Sequence, residues 1–169
     1  MITAHHLDAS AAIKLFIPEG NSEFIRKYFA SCQSINNTWQ PFFMTSLSIG
    51  ETIGVLKVKH YYRNEISEDE YFFSCRLLFS YIEEKMIQID EVDLTIPLLF
   101  YSVEDIAKKY NIDLADAFQI ITVGKGKHSI LAAESKTIFI TADESLANAA
   151  RKEGLRVWNC VKEQTPPME

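Results

Sequence analysis

The chain has 169 residues, of which 47% are hydrophobic and 12% aromatic, and this is enough apolar material for one compact domain with a substantial core. Its 23 acidic residues outnumber its 17 basic ones, and the net charge of −6 excludes nucleic-acid binding driven by overall positive charge. Three cysteines without a CxxC pair exclude a disulfide framework and a zinc knuckle, and no run of residues has the length of a membrane span. We therefore expect a soluble, cytoplasmic protein with one domain over residues 1–160 and a loose tail over residues 161–169.

The predicted elements alternate between short apolar runs, typical of strands, and longer amphipathic stretches with helical spacing. In the first half we predict a strand ending at Asp8, a helix directly after it, a helix from Asn21 or Ser22 to Cys32, a loop over residues 33–40, a strand over Pro41–Thr45 and a helix from Ser46.

The second half continues the same alternation. We predict a helix after the capping box Ser67–Glu70, a strand over Met86–Ile89, a helix from Asp93 or Thr95 to Tyr110, helices over Leu114–Val123 and Ser129–Glu134, a strand over Thr137–Ile140, a helix ending near Lys152 and a strand over Leu155–Trp158. This order is typical of an α/β fold with a mainly parallel sheet covered on both faces, so we predict a three-layer α/β/α sandwich.

Four acidic residues occupy the positions where such a sheet concentrates its functional groups. Asp8 and Asp143 each follow a strand, Glu51 lies within the helix after the second strand, and Asp116 lies in the first turn of the helix over Leu114–Val123. Because the carboxyl ends of neighbouring parallel strands meet at one edge of a sheet, we expect these four carboxylates to share one cleft.

Four carboxylates at short range repel one another and cannot all stay ionised, and a divalent cation relieves this repulsion. Mg²⁺ and Mn²⁺ prefer oxygen ligands and are commonly held by carboxylates together with substrate phosphate. Such an ion can orient and activate a water for attack on a phosphodiester, so the acids predict a metal-dependent nuclease. No histidine base is required, and we expect His5 and His6, which lie in the first strand, to be packed in the interior.

Each acid also has a purely structural interpretation, because acidic residues stabilise helix N-termini. Asp8 or Ser10 can cap the first helix, and Asp113 can cap the helix that has Asp116 in its first turn. Thr141 can cap the last helix in a capping box with Glu144, which makes Asp143 an ordinary first-turn acid. Glu51 can be an exposed surface residue.

Four short segments follow one another in a fixed order over almost the whole chain: Leu7–Phe16, Ser48–Glu51, Asp116–Ile121 and Ile140–Ala150. In this order, on an alternating α/β background, they resemble the motifs of PIN-domain nucleases, and in particular of the VapC-like ribonuclease toxins of toxin-antitoxin pairs. The resemblance implies a PIN-like fold, endoribonuclease activity with Mg²⁺ or Mn²⁺, a homodimer, and an antitoxin whose C-terminal segment blocks the cleft.

The resemblance also implies roles for individual residues. The metal-binding and catalytic acids are Asp8, Glu51, Asp116 and Asp143, and the supporting residues are Ser10, Thr141 and Asp113. RNA would then be contacted by a few local cations, for which the candidates are Lys14, Arg26 and Lys27, then Lys57, Lys59, His60 and Arg63, then Lys125, Lys127, His128 and Lys136.

Two other functions are compatible with an aspartate after the first strand. One is a catalytically inactive PIN-like or flavodoxin-like module that binds RNA or protein and uses its acids only as caps. The other is phosphoryl transfer on a small molecule, which we disfavour because Ser10 stands where haloacid-dehalogenase-like phosphatases have a second aspartate, and because the lysine of receiver domains is missing.

Overall fold

A computed structural model describes residues 3–34, 40–134 and 136–167, and its centre is a parallel five-stranded sheet. The strands are β1 Ala4–Leu7, β2 Phe42–Met44, β3 Ile87–Ile89, β4 Thr137–Thr141 and β5 Arg156–Asn159. They lie in the order β3-β2-β1-β4-β5, so the first strand is central and the direction of winding changes between β1 and β4. A change of this kind opens a crevice at the carboxyl edge of a doubly wound sheet.

Helices cover both faces of this sheet, which confirms the predicted three-layer α/β/α sandwich. They are α1 Ala9–Phe16, α2 Ser22–Ser34, α3 Ser46–Lys57, α4 Glu68–Glu83, α5 Pro97–Tyr110, α6 Leu114–Lys125, α7 Ser129–Ala133 and α8 Glu144–Lys152. In the ranges 3–34, 40–134 and 136–167, none of the helices has the length and apolar character needed to cross a membrane.

The alternation of side chains along each strand builds one hydrophobic core on each face. On one face Phe42, Ile138 and Trp158 pack with residues of α1, α2 and α4. On the opposite face Phe139 and Val157 pack with residues of α5, α6 and α8. Both faces of the central strands are therefore buried, as the continuous apolar runs of the sequence predict.

His5 and His6 lie in β1 with their side chains buried, as predicted. Burial lowers the pKa of His5 to about 4, and the Nε2 atom of His5 lies 2.7 Å from the hydroxyl of Tyr28. Burial, with smaller effects of His128 and His5, lowers the pKa of His6 to about 3. Both imidazoles are therefore neutral at physiological pH and serve packing.

The structure corrects two predicted helix starts. The helix α5 begins at Pro97, with Ile96 as its N-cap, and not at Asp93 or Thr95. Thr141 is the last residue of β4 and does not cap α8, because its hydroxyl lies beside Asp8. The N-cap is Asp143, whose Oδ1 accepts a hydrogen bond of 2.9 Å from the amide of Leu146. The predicted capping box from Thr141 to Glu144 is therefore wrong, and Asp143 has taken the capping role.

Three boundaries also differ from the predicted ones. The helix α2 continues to Ser34, and the rest of the predicted loop, residues 35–39, lies outside the described residues, as do Met168 and Glu169 of the predicted tail. The helix α6 continues to Lys125. After α3 the chain widens into a π-helical turn, Val58–Tyr62, which the sequence did not predict. The division into a domain over residues 1–160 and a loose tail stays a prediction.

Candidate functional site

A cleft of about 770 Å³ opens at the carboxyl edge of the sheet, where the direction of winding changes. Its acidic lining consists of Asp8, Glu19, Glu51, Asp113, Asp116 and Asp143. Its basic lining consists of Lys14, Lys59 and Arg63. The cleft thus brings together all four acids that the sequence predicted for one site, together with Asp113 and with cations from two of the predicted basic groups.

Asp8 is the most firmly held of these acids. It follows β1, caps α1 and is only 4% exposed. Its Oδ2 accepts hydrogen bonds from the amide of Ser10 at 3.1 Å, from the Ser10 hydroxyl and from Thr141 Oγ1 at 2.9 Å. Its Oδ1 accepts a bond of 3.1 Å from Nε2 of Gln119. Donors from three separate elements therefore fix both carboxylate oxygens.

Ser10 and Thr141 connect Asp8 to the segment that carries Asp143. The Ser10 hydroxyl accepts a hydrogen bond of 2.8 Å from the amide of Ala142, and Thr141 Oγ1 accepts one of 3.0 Å from the amide of Asp143. The two hydroxyls lie 3.2 Å apart. These contacts fix the position of Asp143 relative to Asp8 where β1 and β4 end, so both residues support the site, as predicted from the resemblance.

Asp116 occupies the first turn of α6. The N-cap of that helix is Asp113, whose Oδ1 accepts a hydrogen bond of 2.8 Å from the amide of Asp116. Burial and, in decreasing order, the negative charges of Asp113, Asp8, Asp143 and Glu51 together raise the pKa of Asp116 to about 8. The Asp116 carboxyl therefore lies within the electrostatic field of these four acids.

Glu51 projects from the middle of α3 and is half-buried, so the surface interpretation of this residue is wrong. Burial raises its pKa to about 7, with smaller contributions from the charges of Asp8 and Asp113. Without a cation, Glu51 and Asp116 both hold protons over much of the neutral range.

The donor chemistry of the cleft fits a hard divalent cation. Its acids offer only oxygen atoms, and two of them have pKa values raised by burial and mutual repulsion, which a cation would relieve. In the part of the chain that the structure describes, no three His, Cys, Asp or Glu side chains form a ready-made metal-binding group. Binding of a cation would therefore require acidic side chains of the cleft to come closer together.

Sequence reasoning missed two features of this cleft. Gln119 was not predicted as a site residue, although it lies three residues after Asp116, on the same side of α6, within an otherwise apolar run. Lys14 was predicted in one basic group and Lys59 and Arg63 in another, and no local pattern indicated that the two groups meet in the cleft.

Comparisons with known proteins inform the fold. No model of a protein family matches the chain, and no curated protein does. Among solved structures, the chain is similar to the crystal structure of PAE2754 from Pyrobaculum aerophilum, with a TM-score of 0.51 and 15% sequence identity over 87% of this chain and 84% of that one. At this identity the likeness shows a shared fold alone.

Proposed function

We propose that this protein is a Mg²⁺- or Mn²⁺-dependent endoribonuclease of the PIN type that hydrolyses RNA phosphodiester bonds. The observation that carries the proposal is the convergence of Asp8, Glu51, Asp116 and Asp143 on one cleft that also contains cations. Structural caps alone do not account for this set, because Glu51 lies in mid-helix and caps nothing.

In this proposal Asp8, Asp116 and Asp143 would hold the cation, and Glu51 would complete or orient its ligand shell. When bound, the cation would supply activation and orientation of a water for attack on the phosphate and would neutralise the charge that develops there. Ser10, Thr141 and Gln119 keep Asp8 in place, and Asp113 places Asp116 by capping α6. Neutral, buried His5 and His6 take no part.

We further propose that the protein is the toxin of a type II toxin-antitoxin module, acting as a homodimer in the cytoplasm. These assignments rest on the resemblance of its motifs to VapC-like toxins. Exposed aromatic residues on α4 support a protein partner, because Phe73 is 57% and Phe79 53% exposed. Light scattering of the purified protein tests the dimer, and a monomer at all concentrations would contradict it.

The experiment that tests the nuclease is incubation of the purified protein with a mixture of structured RNAs in EDTA, Mg²⁺ or Mn²⁺. We expect discrete fragments only with metal, and none with Asp116→Asn. The matched control is Asp105→Asn, which removes the same charge from an exposed position on α5 and should cleave like the wild type. Cleavage by Asp116→Asn would remove this residue from the site.

One observation favours the alternative, a catalytically inactive PIN-like module that binds RNA or protein. Asp8, Asp113 and Asp143 each accept the amide hydrogen bond of an N-cap, so capping accounts for three of the six acids that line the cleft. A folded protein without cleavage, whose melting temperature does not respond to Mn²⁺, would support this alternative.

A further inference from the structure

The basic lining of the cleft already holds an anion, the carboxylate of Glu19. Glu19 lies in the connection between α1 and α2. Its Oε2 is 3.2 Å from Nζ of Lys14, and its Oε1 is 2.8 Å from Nζ of Lys59. Each oxygen therefore binds a separate ammonium group, and one carboxylate joins α1 to the π-helical turn.

These two lysines differ from ordinary surface cations in their burial. The side chain of Lys14 is 8% exposed and that of Lys59 15% exposed. Burial alone would raise the pKa of Glu19, but hydrogen bonds from Lys59 and Lys14 outweigh it and lower the pKa. Glu19 is thus a firmly ionised anion in a partly desolvated pair of cations, which is a geometry that also suits a phosphate.

Arg63 provides a third cation with more freedom. It follows the π-helical turn, lines the same cleft and is 62% exposed, and its contact with Glu65 is a long one of 3.6 Å. Oε2 of Glu65 also lies 2.6 Å from Nζ of Lys59, so a phosphate that binds Lys59 and the Arg63 guanidinium competes with Glu65 as well as with Glu19.

We propose that Lys14, Lys59 and Arg63 form a subsite for a backbone phosphate of RNA, and that Glu19 occupies this subsite until the RNA phosphate displaces it. The inference rests on the proposed function, because it assigns the cations of the same cleft to the same substrate. Carboxylate and phosphate compete for the same ammonium donors, so removing the charge of Glu19 should strengthen RNA binding.

The test measures the binding of a fluorescently labelled single-stranded RNA to the full chain in EDTA, where cleavage is absent. We expect Glu19→Gln to bind about 3- to 10-fold more tightly than the wild type, and the slope of log Kd against log salt to increase by about one. Arg63→Gln, at an exposed position that folding does not require, should bind more weakly and lose about one from the slope.

Two matched controls separate local from overall charge. Glu23→Gln and Lys108→Gln change the net charge by the same amounts as the test variants, but Glu23 lies on the exposed face of α2 and Lys108 on that of α5, both outside the cleft. Both should bind RNA like the wild type. If Glu19→Gln binds RNA no more tightly than Glu23→Gln does, the proposal that an RNA phosphate displaces the Glu19 carboxylate is wrong. If Arg63→Gln keeps the wild-type affinity and slope, the subsite is wrong.

Competition experiments identify the kind of phosphate that the subsite binds, and they can be interpreted independently of whether the protein cleaves RNA. Inorganic phosphate should compete only at concentrations far above that of the RNA, and equal competition would overturn the assignment to an RNA backbone. An acidic peptide that gains as much affinity from Glu19→Gln as RNA does would also overturn it. Because all binding is measured without metal, a failure to cleave RNA in Mn²⁺ contradicts the proposed nuclease but leaves the binding result intact.

Discussion

One of the hydrogen bonds that hold Asp8 comes from the side chain of Gln119 on α6. Its Nε2 donates to Oδ1 of Asp8 at 3.1 Å, and the residue is 2% exposed. Gln119→Leu keeps a similar volume but leaves Oδ1 without this donor, so the carboxylate is free to turn. We expect the affinity for Mn²⁺, measured by calorimetry, to fall by about 10- to 100-fold, as for other residues that orient metal ligands.

The control for this prediction is Thr122→Val, one residue of the same buried helix that does not contact Asp8. It should lower the free energy of unfolding without changing the affinity for Mn²⁺. An unchanged affinity in Gln119→Leu would show that the remaining donors to Asp8, from Ser10 and Thr141, are sufficient to orient it.

At this scale the sequence predicted which acids meet and, through the family resemblance, the supporting Ser10 and Thr141, but not Gln119. Asp8 and Asp143 were recognisable because each follows a strand, and the topology of a parallel sheet brings strand ends together. The contact between Gln119 and Asp8 joins residues 111 positions apart, and the contact between Lys59 and Glu19 depends on how the connection between α1 and α2 lies against the π-helical turn. No local pattern records such contacts.

The N-cap of α8 offers a way to separate folding from metal binding, because Asn caps a helix about as well as Asp. Asp143→Asn should keep the free energy of unfolding of the metal-free protein and lose most of the stabilisation by Mn²⁺. Asp143→Ala should lose both, with a further cost of about 1 kcal/mol in the free energy of unfolding. Thermal and urea unfolding with and without Mn²⁺ measure the two effects.

Ser67→Ala provides the matched control at the capping box of α4, which does not line the cleft. We expect it to destabilise the protein by a similar amount while the stabilisation by Mn²⁺ stays at the wild-type value. If Asp143→Asn responds to Mn²⁺ like the wild type, Asp143 is a cap alone.

Helices and strands were predictable where their buried residues recur with a regular apolar spacing in the sequence. The strands and most helix starts followed from apolar spacing and capping residues. The π-helical turn Val58–Tyr62 did not, because none of its residues is buried and a wider turn leaves no apolar pattern. The start of α8 was misplaced because Thr141 and Asp143 are both good capping residues, and only the neighbouring Asp8 determines which of them caps the helix.

The crowding of acids has a consequence for the stability of the whole molecule. The folded-state pKa values of Asp116 and Glu51, about 8 and about 7, lie above their ordinary values of 3.8 and 4.5. The folded protein therefore binds more protons than the unfolded chain, so the free energy of unfolding falls as pH rises through these values. His5 and His6 act in the opposite direction, but only below about pH 6.5, where the unfolded chain begins to bind their protons.

We therefore expect the melting temperature in EDTA to fall between about pH 7 and about pH 8, where the histidines of the unfolded chain are mostly neutral and the opposing effect of His5 and His6 is small. Asp116→Asn should flatten this fall, since an amide has no proton to lose. Mn²⁺ should stabilise the wild type more at the upper end of this range than at the lower end. Differential scanning calorimetry across the range tests this, and a melting temperature that rises with pH in EDTA would contradict the raised pKa values.

The position of β1 between β2 and β4 also bears on the synthesis of the protein. Asp8 leaves the ribosome well before Thr141, which donates to its carboxylate and follows 133 residues later. Until β4 has been translated and has paired with β1, neither Asp143 nor the Thr141 hydroxyl beside Asp8 is in place. A nascent chain that stops before β4 therefore carries Asp8 without these two partners, and on the proposed function the cell's RNA is exposed to the nuclease only after β4 and Asp143 have been made.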